Sequence, residues 1–414
     1  MKFQDYQRMN KEHKKGLMPD FRFPEFLDSG EWEEINLGSI GKVSMCKRIL
    51  KDETKPYGDI PFYKIGTFGK QADAYISKDV YERYKSKYSY PKKGDILISA
   101  SGTIGRLVIF NGEAAYFQDS NIVWIGNNEN LVKNSFLFYC YKRIKWATDS
   151  NTIARLYNDN LSGMKIFITS MPEQTKIATC LSSLDDLITT QTQKIEALKT
   201  HKKGLMQQLF PQEGETVPKL RFPEFSGDWV ETTLGQVAKY ENGKAHEQDI
   251  VELGKFIVVN SKFISTDGEV KKFTNTAFCL AEKENILIVL SDIPNGRAIA
   301  KCFFVDTDNL YTVNQRICKI TPIKAVSMML FYLLNRNSYF LAFDDGVKQT
   351  NLKKDDVLNC PILLPKDSKE QQKIADCLSS LDDLINAHVK KCELLKTHKK
   401  GLMQGLFPSS NEAA

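Results

Sequence analysis

The sequence has no Pro-Pro dipeptide, so it lacks the Asn/Asp-Pro-Pro-Tyr/Phe loop that an adenine methyltransferase needs. None of the Gly-Lys pairs beginning at 41, 69, 243 and 254 is followed by Ser or Thr, which excludes a phosphate-binding P-loop. A Pro-Asp … Glu-x-Lys nuclease pattern is met only by Pro19-Asp20 with Glu53 and Lys55, a pairing expected by chance. The 9 cysteines form no CxxC pair and no Cys/His cluster at zinc spacing; buried free thiols in a reducing compartment account for them. No apolar run approaches membrane-spanning length, and the polar start MKFQDY is unlike a secretory leader. A cytoplasmic, metal-free, non-catalytic chain without membrane contact is therefore expected.

Charge is sparse too. The net charge is +6 at pH 7, with 20 Lys/Arg against 16 Asp/Glu in residues 27–172 and 16 against 17 in residues 226–365. Neither stretch has the excess of a strong polyelectrolyte binder, so nucleic-acid affinity of the lone chain should be weak. With 42% hydrophobic and 26% charged residues, the 414-residue chain has the composition of two or three ordinary globular domains.

What the chain does have is a long internal repeat, which fixes architecture before any local motif. EQTKIATCLSSLDDLI at 173–188 returns as EQQKIADCLSSLDDLI at 370–385, and KTHKKGLMQQLF at 199–210 returns as KTHKKGLMQGLF at 396–407. Both pairs share one offset of 197 residues, from 173 to 370 and from 199 to 396. Ile177, Leu181, Leu184, Ile188, Ile195 and Leu198 alternate four and three or seven residues apart, with Leu205 and Leu209 in phase. Ile374, Leu378, Leu381, Ile385 and Leu395 repeat the pattern, with Leu402 and Leu406. This heptad seam predicts two long helices paired antiparallel as a coiled coil about an internal pseudo-two-fold. Pro172 and Pro211 should bracket the first helix, and Gly204 and Gly401 should fray the last turns. Gln191 with His388, and Lys202 with Lys399, occupy matching polar seam positions; register fixing and a partly exposed seam end both explain them.

The start of the chain echoes the end of each repeat: KKGLM at 14–18 matches 202–206, and RFPEF at 22–26 matches 221–225. The expected order is an N-terminal segment 1–26, a globular domain 27–172, a helix 173–210, a linker 211–225, a second globular domain 226–365 and a distal helix 366–410. Within each globular part, short β-rich runs (95–99, 107–110 and 121–125; 285–289, 298–304 and 316–320) precede a helical stretch (135–146; 325–336) and a polar loop. That pattern predicts mixed α/β (α+β) domains, alike in scaffold and different in loops. The run of Tyr81, Tyr84 and Tyr88 among Arg83, Lys85 and Lys87 fits an amphipathic helix turning its tyrosines inward, in preference to a phosphate-binding surface.

The duplicated EQxKIA segment, the LxxLDDLI helix and the KKGLMQ tail together resemble the specificity subunit of type I restriction-modification systems, over essentially the whole chain. GDILI at 94–98 followed by SGTIG at 101–105 also resembles that family's target-recognition domains; the second domain has ENILI at 284–288 without the glycine loop. The resemblance implies two target-recognition domains, each reading half of a split double-stranded DNA site. It implies that the helices set the spacer and dock two modification (methyltransferase) subunits, which restriction subunits with translocase and nuclease activity join. S-adenosylmethionine, ATP and Mg would belong to those partners. Asp185-Asp186 and Asp382-Asp383, on the helices, then read as a solvated or partner-facing surface. A two-armed protein-interaction scaffold is the alternative; a fused restriction-methylation enzyme is disfavoured by the absent motifs.

Reading DNA requires Arg, Lys, Asn and Gln at loop ends. The candidates in the first domain are Ser99, Ser101, Thr103 and Arg106, then Gln118 and Asn121, then Arg155, Asn158 and Asn160. In the second they are Asn295 and Arg297, then Gln315 and Arg316, then Lys348, Gln349 and Asn351.

Overall fold

The computed structural model describes residues 17–146, 155–293 and 298–409. The chain divides into two compact units, Met1–Gln191 with Lys391–Ala414, and Thr192–Lys390. Two helices, Met171–Leu209 and Ser368–Gly405, each give one portion to either unit.

The seam positions differ in burial. Ile177, Leu181, Ile195, Ile374, Leu378 and Ile385 are buried, and Leu184, Ile188, Leu198, Leu381 and Leu395 are half-buried. In the first unit Ile177, Ala178 and Leu181 share a core with Leu402, Met403, Leu406 and Phe407, while Lys399 pairs with Asp185. Later positions of one segment thus meet earlier positions of the other, so the segments run antiparallel. In the second unit Leu205 and Leu209 meet Ile374 and Leu378, and Lys202 lies 2.6 Å from Asp382.

Two details differ from expectation. Pro172 lies inside the first turn, where its missing N–H leaves no hydrogen bond unmade. Gly204 and Gly401 do not fray the helices, which run on to Leu209 and Gly405. A mid-helix glycine costs about 1 kcal/mol, and burying Leu209 or Leu406 beyond it returns more.

Each unit is built on one plan. In the first, the strand Glu33–Asn36 pairs antiparallel with Lys165–Ile168, closing the domain at the foot of the helix. Above it, among the described residues, four antiparallel strands run in the order Val43–Met45, Ile122–Ile125, Ile96–Ser99, Leu107–Ile109. A smaller sheet holds Tyr75–Ile76, Ile60–Tyr63 and Tyr116–Phe117, the last two parallel. The helix Asn134–Arg143 buries Phe136, Leu137 and Tyr139–Tyr141 beneath the larger sheet's core. In the second unit Val230–Thr233 pairs with Pro361–Leu364. The main sheet there orders Ala238–Asn242, Ile317–Pro322, Ile286–Val289, Cys302–Phe304, and the helix Ser327–Leu334 covers it.

The expected strand at 298–304 shortens to Cys302–Phe304, because Ala300 takes a left-handed φ of 55° and its carbonyl accepts from Arg336 N–H at 2.9 Å. The helix Lys78–Lys87 buries Tyr81 and half-buries Tyr84, while Tyr88, past its end, is 45% exposed.

The repeated residues outside the seam tie each domain to a helix. Arg22 grips Glu173 through two bonds of 2.7 Å, and Arg221 grips Glu370 through two of 2.8 Å. Gln174 Nε2 donates to the Thr169 carbonyl and Gln371 Nε2 to that of Pro365, both at 2.8 Å. Tyr139 donates to Asp185 at 2.9 Å and Tyr332 to Asp382 at 2.7 Å. Burial first, then these carboxylates, push both tyrosine hydroxyls well above the usual phenol range. The first aspartate of each Asp-Asp pair is therefore an internal acceptor, shared between a tyrosine and a seam lysine.

Candidate nucleic-acid interface

The candidate reading segments are scattered in sequence, and the fold gathers them. In the first unit the strand Ile96–Ser99 ends in the 99–106 loop. Ala100 N–H donates to the Asn121 carbonyl and Leu156 N–H to the Ala100 carbonyl, each at 2.8 Å. Ser101 forms a bridge with Arg155, and its hydroxyl donates to Asn121 Oδ1 at 2.9 Å. All three first-domain segments thus meet at one end of the main sheet.

The second unit repeats these ties with other residues. Leu290 N–H donates to the Arg316 carbonyl at 2.9 Å and Leu352 N–H to the Leu290 carbonyl at 2.8 Å. Ser291–Asp292 pairs antiparallel with Thr350–Asn351 as a short ribbon, where the first unit has a single bridge. Asn295 and Arg297 lie outside the described residues. Gln315, Arg316, Lys348, Gln349 and Asn351 are all exposed.

Several candidates are occupied in shaping these loops. Ser99 is 1% exposed; its hydroxyl donates to the Thr103 carbonyl at 2.6 Å and accepts from Arg106 N–H at 2.8 Å. It clasps the 99–106 loop and has no face toward solvent. The Arg106 guanidinium donates to the Phe68 carbonyl at 2.9 Å, and Gln118 Oε1 accepts from Ile65 N–H at 2.9 Å. Gln349 Nε2 donates to Ser291 Oγ at 2.6 Å, and Gln315 Nε2 to Glu247 at 3.1 Å. Thr103, Arg155, Asn158 and Asn160 remain as exposed polar groups of the first cluster, with Arg316, Lys348 and Asn351 in the second.

The fold also adds residues to these clusters that polar composition overlooks. Tyr157 is 63% exposed, between Arg155 and Asn158. Ile293 and Val347 are 69% and 75% exposed, at the end of the second unit's ribbon. A large apolar side chain inside an otherwise polar loop was the available signal. Around Val347 the backbone is pinned: Asp345 accepts from Val347 N–H at 2.9 Å and Lys348 N–H at 3.0 Å, and these bonds hold its carboxyl below the usual range.

Among the described residues no group of three or more His, Cys, Asp or Glu side chains is arranged to hold a metal, and no helix is long and apolar enough to cross a membrane.

Comparison with known proteins gives this geometry its context. The profile of the family described as type I restriction modification DNA specificity domain matches residues 29–200 and again 226–396. A Haemophilus influenzae chain provisionally named type I restriction enzyme specificity subunit S.HindORF215P is 60% identical over 160 residues, 38% of this chain and 42% of that one. The Methanocaldococcus jannaschii type I restriction enzyme MjaVIII specificity subunit is 26% identical over 428 residues, covering 96% of each chain. Among solved structures, the type I restriction-modification S subunit from M. genitalium superposes with a TM-score of 0.65 at 16% identity, covering 95% of this chain and all 100% of that one.

Proposed function

The chain belongs to the type I restriction-modification DNA specificity family, whose members are the non-catalytic subunits of their complexes, and from that premise we propose how its parts divide the work. Each unit reads one half of a bipartite, gapped DNA site through the cluster of loops at one end of its main sheet. The long helices set the spacer between the halves and dock two modification subunits, which methylate adenine; restriction subunits join that assembly.

The observation that carries this reading is the pair of loop clusters. The same backbone ties, Ala100 to Asn121 and Leu156, and Leu290 to Arg316 and Leu352, hold different exposed side chains in the two units. A common frame with unlike outward groups suits two readers of two different half-sites. The exposed set, Thr103, Arg155, Asn158 and Asn160 in one and Arg316, Lys348 and Asn351 in the other, supplies the cations and amides that base edges and phosphates accept. Ser101, Asn121 and Gln349 act by holding those groups in place, as do Ser99, Arg106 and Gln118.

Methylation mapping of the host genome with and without the gene tests this directly. Loss of one gapped, bipartite adenine-methylated motif on deletion is the expected result. An unchanged map, together with no modification subunit on pull-down, would leave the two-armed protein scaffold in its place.

A further inference from the structure

The second unit's ribbon narrows the recognition chemistry, on the premise that this unit reads a half-site. Ser291–Asp292 and Thr350–Asn351 pair antiparallel, with Ser291 opposite Asn351 and Asp292 opposite Thr350. Ile293 prolongs one strand past the last pair, and Val347 stands on the incoming side of the other. Among the described residues of this unit, only Leu253, at 84%, is a more exposed large apolar side chain than these two.

Their backbones are nonetheless held. Asp292 Oδ1 accepts from Ile293 N–H at 2.9 Å, and Asp345 Oδ1 holds Val347 N–H and Lys348 N–H. Gln349 and Ser291 bond to each other, and Thr350 donates to Asp344 at 3.0 Å. Among the described residues, the polar side chains of Ser291, Asp292, Asp344, Asp345, Gln349 and Thr350 are thus paired internally, and Ile293 and Val347 are turned outward with the exposed Lys348. One solvated aliphatic residue needs no explanation, but two at the end of one pinned ribbon form a presented surface.

The major groove of B-DNA admits a two-stranded ribbon, and the apolar group displayed there is the C5-methyl of thymine. Ile and Val are stiff at χ1, so ordering them against a methyl group loses little rotamer freedom. We infer that Ile293 and Val347 read thymine methyl groups in the major groove of this unit's half-site, with Lys348 on a neighbouring phosphate.

The test uses the full chain assembled with its modification subunits and a labelled duplex carrying the mapped motif. Each thymine in both halves is replaced in turn by deoxyuridine, which pairs identically but lacks the methyl. Binding should weaken about fourfold at one or two positions of one half. The double variant Ile293→Ala, Val347→Ala, whose thermal unfolding should match the parent because both side chains are solvated, should bind the thymine and deoxyuridine duplexes equally there. Three results overturn the inference alone: specific binding to halves without thymine, equal affinity of the parent for both duplexes, or a thymine preference at every sensitive position that survives in the variant. Absence of any sequence-specific binding would instead remove the half-site reading itself, and the inference with it.

Discussion

The Arg22–Glu173 pair sits with side-chain exposures of 4% and 1%, and its counterpart Arg221–Glu370 with 14% and 2%. Removing one partner of a buried pair strands the other's charge. Arg22→Ala should destabilise the protein by about 3–5 kcal/mol in denaturant unfolding. Arg221→Ala should cost less, because more solvent reaches that pair. Replacing both Arg22 and Glu173 by Met should recover much of the loss, and a double variant no better than the single would show that the pair contributes beyond its own charges. Thiols offer a second residue-scale test. Burial pushes Cys279 up to about 11 and Cys46 and Cys360 up to about 12, while Cys180 and Cys377 are half-exposed. A thiol reagent at pH 8 should therefore modify Cys180 and Cys377 before the others, Cys180 slowed because burial raises its thiol too, and the buried seven only on unfolding. Because the raised thiols keep protons that unfolded thiols lose near pH 9, their contribution is full below that pH and declines as pH climbs toward 12. None of these pairings was legible residue by residue. RFPEF and EQxKIA were visibly duplicated, but that Arg22 reaches Glu173, 151 positions away, depends on the fold.

The long helices were the most legible elements, since a seam repeated over nearly forty residues admits one periodicity. Their ends were less so, because burial beyond Gly204 and Gly401 outweighed local propensity. A small departure between the copies has a structural consequence. Gly405 stands where the first copy has Gln208, and Phe21 where it has Leu220; Phe21 N–H bonds to the Gly405 carbonyl and Leu220 N–H to that of Gln208. A β-carbon on Gly405 would overlap the ring of Phe21. Gly405→Gln should thus lower stability by about 1–3 kcal/mol, and adding Phe21→Leu, which restores the first copy's pairing, should recover most of it. Equal losses in single and double variants would place the cost elsewhere. The short strands were read at the right places but with poor ends: a single left-handed residue, Ala300, ends what hydrophobic pattern alone extends from 298 to 304.

At the scale of the whole molecule, the proposed spacer role predicts a change in target. Inserting one heptad at matched points of both helices keeps the seam in phase and adds about 10 Å of helix. The mapped motif should gain about three base pairs of gap, and an unaltered gap would remove the helices from spacing. With a net charge of +6 and nearly balanced domains, the lone chain should bind DNA weakly and lose that binding steeply with salt in a titration. Tight, salt-resistant binding would count against partners supplying phosphate contacts. The sequence alone determined the duplication, the helical seam, the α/β character of two dissimilar domains and the family, because repeats and periodicity are written locally and copied at a constant offset. Only the tertiary structure decided that three distant polar segments converge in the first unit and two described ones in the second, and which of their side chains remain outward. That choice rests on backbone hydrogen bonds between residues such as Ala100, Asn121 and Leu156, and such bonds depend on chain geometry, leaving no signature in side-chain order.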